Sequence, residues 1–169
     1  MTIGWRPGTA QRRGGTTMRP PFAPRWRGGM PKGRWMRVLC VCTGNRFRSP
    51  LLAHCFRQLR PHWDVRSAGT RCGTPDADAP KSWRACVDGW AEPHAARKLT
   101  PGDVAWADVV VVVQPSHERA VRELRQGASV VLVKLEDPAF RRVREWPELA
   151  RHFVTAATGA LEEIERVAQ

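Results

Sequence analysis

Cys42 and Arg48, with five residues between them, form the segment of this chain best suited to covalent chemistry. An apolar run precedes Cys42, and Ser49-Pro50 after the arginine is typical of a helix start. Between them, Gly44 and Asn45 tolerate left-handed backbone angles. Backbone N–H groups in such a loop can converge on an anion, and an arginine can bind two of its oxygens. The same donors would stabilise a thiolate, which is a nucleophile aimed at phosphorus when a phosphate lies above it.

The cysteines of the chain show neither a disulfide framework nor the Cys-x-x-Cys spacing of a metal site. They are Cys40, Cys42, Cys55, Cys72 and Cys86. The sequence therefore predicts no metal and no cofactor. It also has no apolar run of signal-peptide or membrane-spanning length, so we expect reduced thiols, a cytoplasmic location and no membrane partner.

Three apolar runs are typical of strands buried in a parallel sheet: residues 38–42, 109–113 and 130–133. Residues 65–68, which lead into Gly69, are a shorter candidate strand. Four segments with helical patterns alternate with them, at residues 50–60, 80–90, 116–127 and 149–167. In the third of these segments, Ser116 is a candidate N-cap and Gly127 a candidate end.

Strands that alternate with helices predict an α/β domain with a parallel sheet and helices on both faces. In such folds ligands bind beyond the carboxyl ends of the strands. The first predicted strand ends at Cys42. The loop that follows is therefore where chemistry is expected.

The net charge of +12 is concentrated at the start of the chain. Residues 1–37 hold nine lysines and arginines and no acidic residue, and they are rich in glycine and proline. We expect residues 1–35 to be a disordered leader and residues 36–169 to be the catalytic domain. Trp5, Trp26 and Trp35 among the arginines are compatible with nucleic-acid binding, but a solvated leader is the favoured interpretation.

The segment from Val41 to Pro50 resembles the signature of the low-molecular-weight protein tyrosine phosphatases, whose fold is shared with thioredoxin-coupled arsenate reductases. Residues 67–70, residues 94–100 and Asp137-Pro138 are similar to further segments of that family, in the same order and spacing. The resemblance covers about residues 36–168. It implies a three-layer, doubly wound, four-stranded parallel sheet in flavodoxin-like order, with the phosphate-binding loop after the first strand.

The resemblance also implies roles for individual residues. Cys42 would attack phosphorus and form a phosphocysteine, while Arg48 would hold the phosphate oxygens. Asp137 would protonate the leaving oxygen and later activate water. The residues expected to bind substrate are Thr43, Gly44, Asn45, Arg46, Phe47, Ser49 and Phe140. Ser67 and His94 would support the loop.

Two of the residues expected to bind substrate are aromatic, Phe47 and Phe140. Phe140 either flanks the substrate's ring or fills a gap in its own loop, and the sequence leaves both interpretations open. Phe47 occupies a position where many relatives carry a second loop cysteine, which can form a reversible disulfide with the nucleophile. This chain should lack that protection against oxidation.

The resemblance favours a phosphomonoester hydrolase, and within that class a protein tyrosine phosphatase acting on a phosphorylated protein or a small phosphomonoester. Two alternatives stay open: an arsenate reductase that uses an external thiol, and a non-catalytic phosphate-binding module. We expect a monomer or weak dimer, and nucleic acid is not the favoured partner.

Overall fold

The computed structural model describes residues 35–90 and 93–169. The predicted leader, residues 1–35, lies outside the described residues except for Trp35, which is exposed.

A four-stranded parallel sheet forms the centre of the domain, in the order β2-β1-β3-β4. Its strands are β1 (Arg37–Cys42), β2 (Asp64–Gly69), β3 (Val109–Val112) and β4 (Val130–Leu132). The predicted fold class is therefore confirmed. The apolar runs of β1 and β3 form strands because β-branched side chains suit positions that are buried on both faces of a sheet.

Six helices lie on the two faces of the sheet in the described part of the chain. They are α1 (Arg48–Leu59), α2 (Lys81–Arg84), α3 (Pro101–Trp106), α4 (Pro115–Leu124), α5 (Trp146–Gly159) and α6 (Leu161–Val167). Short 3₁₀ turns span Pro138–Phe140 and Val143–Glu145.

Two helix predictions were wrong at their ends. Ser116 is not an N-cap, because α4 begins at Pro115 after Gln114; proline is favoured in the first helical turn, where its missing N–H costs nothing. The same helix ends at Leu124, before Gly127. The predicted helix over residues 149–167 is two helices, since α5 ends at Gly159, a poor helix former, and α6 begins at Leu161.

The segments before β3 also differ from the prediction. The helix expected over residues 80–90 is reduced to α2, and a turn that contains Gly89 at φ 75° follows it. Helix α3 was not predicted. Its N-terminus is a capping box in which Thr100 Oγ1 accepts from the Asp103 N–H while Asp103 Oδ2 accepts from the Thr100 N–H.

Alternate residues of β1 pack into two separate apolar cores. Val38, Cys40 and Cys42 face the core formed with α1, α5 and α6. Leu39 and Val41 face the core that includes residues of α3 and α4. The strand is thus buried on both sides. Because β1 lies between β2 and β3, its carboxyl end opens at the point where the strand order reverses, which is the usual binding crevice of this architecture.

Candidate active site

The loop between β1 and α1, residues 43–47, surrounds the sulfur of Cys42. The Asn45 N–H donates to Cys42 Sγ over 3.2 Å, and Ser49 Oγ lies 3.0 Å from the same sulfur. Cys42 is 2% exposed and lies at the end of the buried strand. The thiolate form of a cysteine is the nucleophile, and the Asn45 N–H is placed to donate a hydrogen bond to it.

Asn45 holds the loop from inside. It has a left-handed backbone (φ 54°) and is fully buried. Its Nδ2 donates to Ser49 Oγ and to Ser67 Oγ, each over 2.9 Å, and its Oδ1 accepts from the Arg97 N–H over 3.0 Å. These bonds tie the loop to α1, to β2 and to the segment before α3.

His94 completes this polar network. Its Nε2 donates to the backbone oxygen of Asn45 over 2.8 Å. Burial is the largest effect on its pKa and lowers it, so the ring is neutral at neutral pH. Ser67 and His94 thus both hydrogen-bond to Asn45.

Arg48 reaches across the site to Asp137. Its Nη2 donates to Asp137 Oδ2 over 2.6 Å and to Thr43 Oγ1 over 3.2 Å. The guanidinium is buried, and its Nη1 has no hydrogen-bond partner among the described residues. A buried donor without a partner is costly, and the oxygen of a bound phosphate would satisfy it.

His117 belongs to the site but was not predicted from the sequence. It is buried in the first turn of α4, and its Nε2 lies 2.9 Å from Thr43 Oγ1. Burial and the neighbouring Arg48 lower the pKa of His117 to about 4, so the ring is neutral at neutral pH. Its position just beyond the carboxyl end of β3 could have suggested a role, because that edge of the sheet forms the site.

The remaining predicted residues differ in exposure. Thr43 and Gly44 are half-buried, while Arg46 is exposed. The Phe47 side chain packs against the core beside α1, so what it offers the site is its backbone. Phe140 is 89% exposed and lies in the turn that follows Asp137. It does not fill a gap in its own loop.

The described residues contain no group of three or more histidine, cysteine or acidic side chains arranged to hold a metal ion. Likewise, none of the helices described is long and apolar enough to span a membrane.

The fold and this loop define a class of protein: a doubly wound α/β domain with a buried thiol at the end of its first strand, followed by an arginine that is paired with a carboxyl group. A family model described as low molecular weight phosphotyrosine protein phosphatase matches residues 37–145. The chain is 35% identical over 115 residues to a low molecular weight protein-tyrosine-phosphatase of Streptomyces coelicolor, a match that covers 61% of this chain and 70% of that protein.

Solved structures agree with the fold. The tyrosine phosphatase amsI of Erwinia amylovora matches with a TM-score of 0.69 at 18% identity, and the match covers 80% of this chain and 97% of the amsI chain. The YwlE arginine phosphatase of Geobacillus stearothermophilus matches with a TM-score of 0.67 at 20% identity, and the match covers 78% of this chain and 94% of the YwlE chain. The chain belongs to the low molecular weight phosphotyrosine protein phosphatase family and is a cysteine-dependent phosphatase.

Proposed function

We propose that this phosphatase hydrolyses aryl phosphate monoesters, in particular phosphotyrosine in proteins, through a phosphocysteine at Cys42. The observation that carries the proposal is that Asp137, from a distant part of the chain, contacts the arginine of the loop that follows Cys42. Cys42 ends β1, Arg48 begins α1, and Asp137 lies 89 positions beyond Arg48 yet accepts a hydrogen bond from it. A nucleophile, a phosphate-binding cation and a carboxyl group are what a two-step transfer requires.

In the first step Cys42 Sγ forms a bond to phosphorus while the bond from phosphorus to the ester oxygen breaks. The leaving oxygen takes a proton from the carboxyl group of Asp137. Arg48 binds phosphate oxygens through the transition state, and the loop N–H groups bind the others. A phosphate dianion on Arg48 would take the hydrogen bond that the Asp137 carboxylate accepts in the structure.

In the second step water attacks phosphorus and the bond from sulfur to phosphorus breaks. The Asp137 carboxylate takes the proton of that water, which restores the acid for the next turnover. The departing thiolate is stabilised by Ser49 Oγ and by the Asn45 N–H, both within 3.2 Å of the sulfur. Inorganic phosphate leaves, and no electrons are exchanged.

Two exposed residues favour an aryl substrate. Phe140 presents an exposed ring in the turn next to Asp137, where it can stack on a phenyl group. Arg46 places an exposed cation on the phosphate-binding loop, which would repel the guanidinium of phosphoarginine. We therefore rank phosphotyrosine above phosphoarginine. We also infer a cytoplasmic location, because all five cysteines are free.

The test compares the parent enzyme with Cys42→Ser on p-nitrophenyl phosphate, in a reducing buffer with EDTA. Cys86→Ser is the matched control, because Cys86 is a half-buried thiol whose contact is with the Ser82 carbonyl oxygen. We expect Cys42→Ser to abolish turnover and the control to retain it. Rapid quenching followed by peptide mass spectrometry should find phosphate on Cys42 in the parent.

Other outcomes would redirect the proposal. Turnover that survives Cys42→Ser would exclude the phosphocysteine. A folded, reduced parent with no turnover on aryl phosphates would point instead to arsenate reduction, which is assayed with arsenate and an external thiol. Phosphate binding without turnover of either substrate would support a non-catalytic module. A higher kcat/KM on phosphoarginine peptides than on phosphotyrosine peptides would overturn the substrate ranking.

A further inference from the structure

Two indole N–H groups bind the backbone of the two loops that form the site. Trp83 Nε1 donates to the carbonyl oxygen of Phe47, the residue before Arg48, over 3.2 Å. Trp146 Nε1 donates to the carbonyl oxygen of Pro138, the residue after Asp137, over 3.1 Å. Each tryptophan thus holds the chain next to a proposed catalytic residue.

These two indoles also contact each other. Their ring centroids lie 5.7 Å apart with the planes at 83°, an edge-to-face pair. Phe47 packs against both, with centroids 6.0 Å from Trp83 and 5.7 Å from Trp146. Trp83 is fully buried and Trp146 is 7% exposed. We call Phe47, Trp83 and Trp146 the indole bridge, because they form a continuous connection between the two loops.

The bridge matters because the ion pair between Arg48 and Asp137 cannot persist during catalysis. In the structure, that ion pair joins the loop before Arg48 to the loop that carries Asp137. When phosphate oxygens take the donors of Arg48, the carboxyl group is released from it. The hydrogen bond from Trp146 to Pro138 does not involve Arg48, so it remains when the ion pair is broken.

We propose that the indole bridge positions Asp137 over the phosphate-binding loop after substrate has displaced it from Arg48. Trp146 is a positioning residue, since it contacts the backbone beside the acid and not the reacting atoms. The inference rests on the proposed function, because it requires Asp137 to be the general acid. Without the bridge, the acid would spend less time within reach of the leaving oxygen, and a misplacement of about 1 Å is enough to slow a reaction.

The test uses Trp146→Phe, which keeps an aromatic ring and removes the N–H. Trp63→Phe is the matched control, since Trp63 is a buried indole that packs on Phe56 and lies just before the amino end of β2, whereas the site is at the carboxyl ends of the strands. Both variants lose comparable ring volume. We measure kcat/KM on aryl phosphates whose leaving phenols differ in acidity, because this ratio reports the steps up to formation of the phosphoenzyme.

General-acid catalysis matters most for a poor leaving group, such as a phenol whose pKa is about 10, like that of tyrosine. We expect Trp146→Phe to lower kcat/KM for phenyl phosphate about fivefold, the effect of one hydrogen bond. The loss on p-nitrophenyl phosphate, which has a more acidic leaving group, should be less than about twofold. Trp63→Phe should change kcat/KM by the same factor for both substrates. A merely structural role for Trp146 would likewise lower both rates by the same factor.

Asp137→Asn separates failure of this inference from failure of the proposed function. If Asp137→Asn does not make kcat/KM depend more steeply on the acidity of the leaving phenol, then Asp137 is not the acid and the proposed mechanism fails. If it does, but Trp146→Phe behaves like Trp63→Phe, the bridge is refuted and the mechanism stands. Should Trp146→Phe not fold, 3-benzothienylalanine at position 146 keeps the ring shape and removes the N–H, and the same comparison decides.

Discussion

Gly69, the last residue of β2, lies directly against the phosphate-binding loop. A Cβ at this position would be 2.6 Å from the carbonyl oxygen of Thr43, 2.9 Å from the nitrogen of Asn45 and 3.0 Å from the carbonyl carbon of Gly44. All three are backbone atoms, so no side-chain rotation can relieve the contact. Gly69 itself is fixed, because its N–H donates to Arg97 O and its oxygen accepts from the Leu99 N–H.

Gly69→Ala should therefore displace the loop. A carbon and an oxygen that are not bonded approach to about 3.4 Å, so the 2.6 Å contact requires a shift of roughly 0.8 Å. Overpacking of this kind costs about 1–3 kcal/mol of stability, which a domain stable by about 5–15 kcal/mol tolerates. Catalysis should suffer more, since a displacement near 1 Å can cost about 100-fold. We expect a folded enzyme with kcat/KM lowered about 100-fold.

The assay combines p-nitrophenyl phosphate hydrolysis with urea unfolding of the same samples. Gly73→Ala is the matched control, because a Cβ on Gly73 would meet no atom within 4 Å, and it should change neither quantity appreciably. Inorganic phosphate should also inhibit Gly69→Ala more weakly than the parent, because the loop that binds it has moved. A Gly69→Ala enzyme with activity within twofold of the parent would refute the reasoning.

Two further predictions concern buried polar groups of the site. Asn45→Gly keeps the left-handed backbone but removes the amide that donates to Ser49 and Ser67, so the free energy of unfolding in urea should fall by roughly 2–4 kcal/mol; an unchanged value would show that the network does not hold the loop. Burial and Arg48 lower the pKa of His117 from its ordinary value of 6.5 to about 4. Between those two pH values the histidine is therefore protonated in the unfolded chain but neutral in the folded chain. Stability should therefore decline as the pH falls through this window, by at most about 3 kcal/mol, and His117→Gln should remove that decline. Parallel pH profiles of the unfolding midpoint in the two proteins would contradict it.

The fold could be predicted because its signals are local. The five valines of residues 109–113 and the apolar run that ends at Cys42 suit strands covered on both faces, and the structure has β3 and β1 there. Helix ends were less predictable, because competing signals lie within a residue of each other. Pro115 determined the start of α4 although Ser116 is the better capping residue. The unpredicted α3 did carry a local signal, the capping box of Thr100 and Asp103.

The site was predictable only in part, because its contacts join positions that no local pattern relates. His117 and Thr43 are 74 positions apart, and their contact depends on where α4 begins relative to the loop. The indole bridge is a similar case. Trp83 lies in the predicted helical segment of residues 80–90, and Trp146 precedes the one predicted over residues 149–167. The sequence offers no sign that their N–H groups bind the two site loops.

Phe47 shows how the loop is held from two opposite sides. On one side, the buried amide of Asn45 holds the backbone through polar contacts. On the other, the ring of Phe47 packs against Trp83 and Trp146. Trp83 donates to the carbonyl oxygen of Phe47, and Trp146 donates to the loop that carries Asp137. A smaller side chain at position 47, such as a cysteine, would remove the ring contact that each indole makes with Phe47 and would open a cavity beside them. The aromatic residue at this position therefore belongs with the two tryptophans, since each contributes a surface that the others need in order to pack.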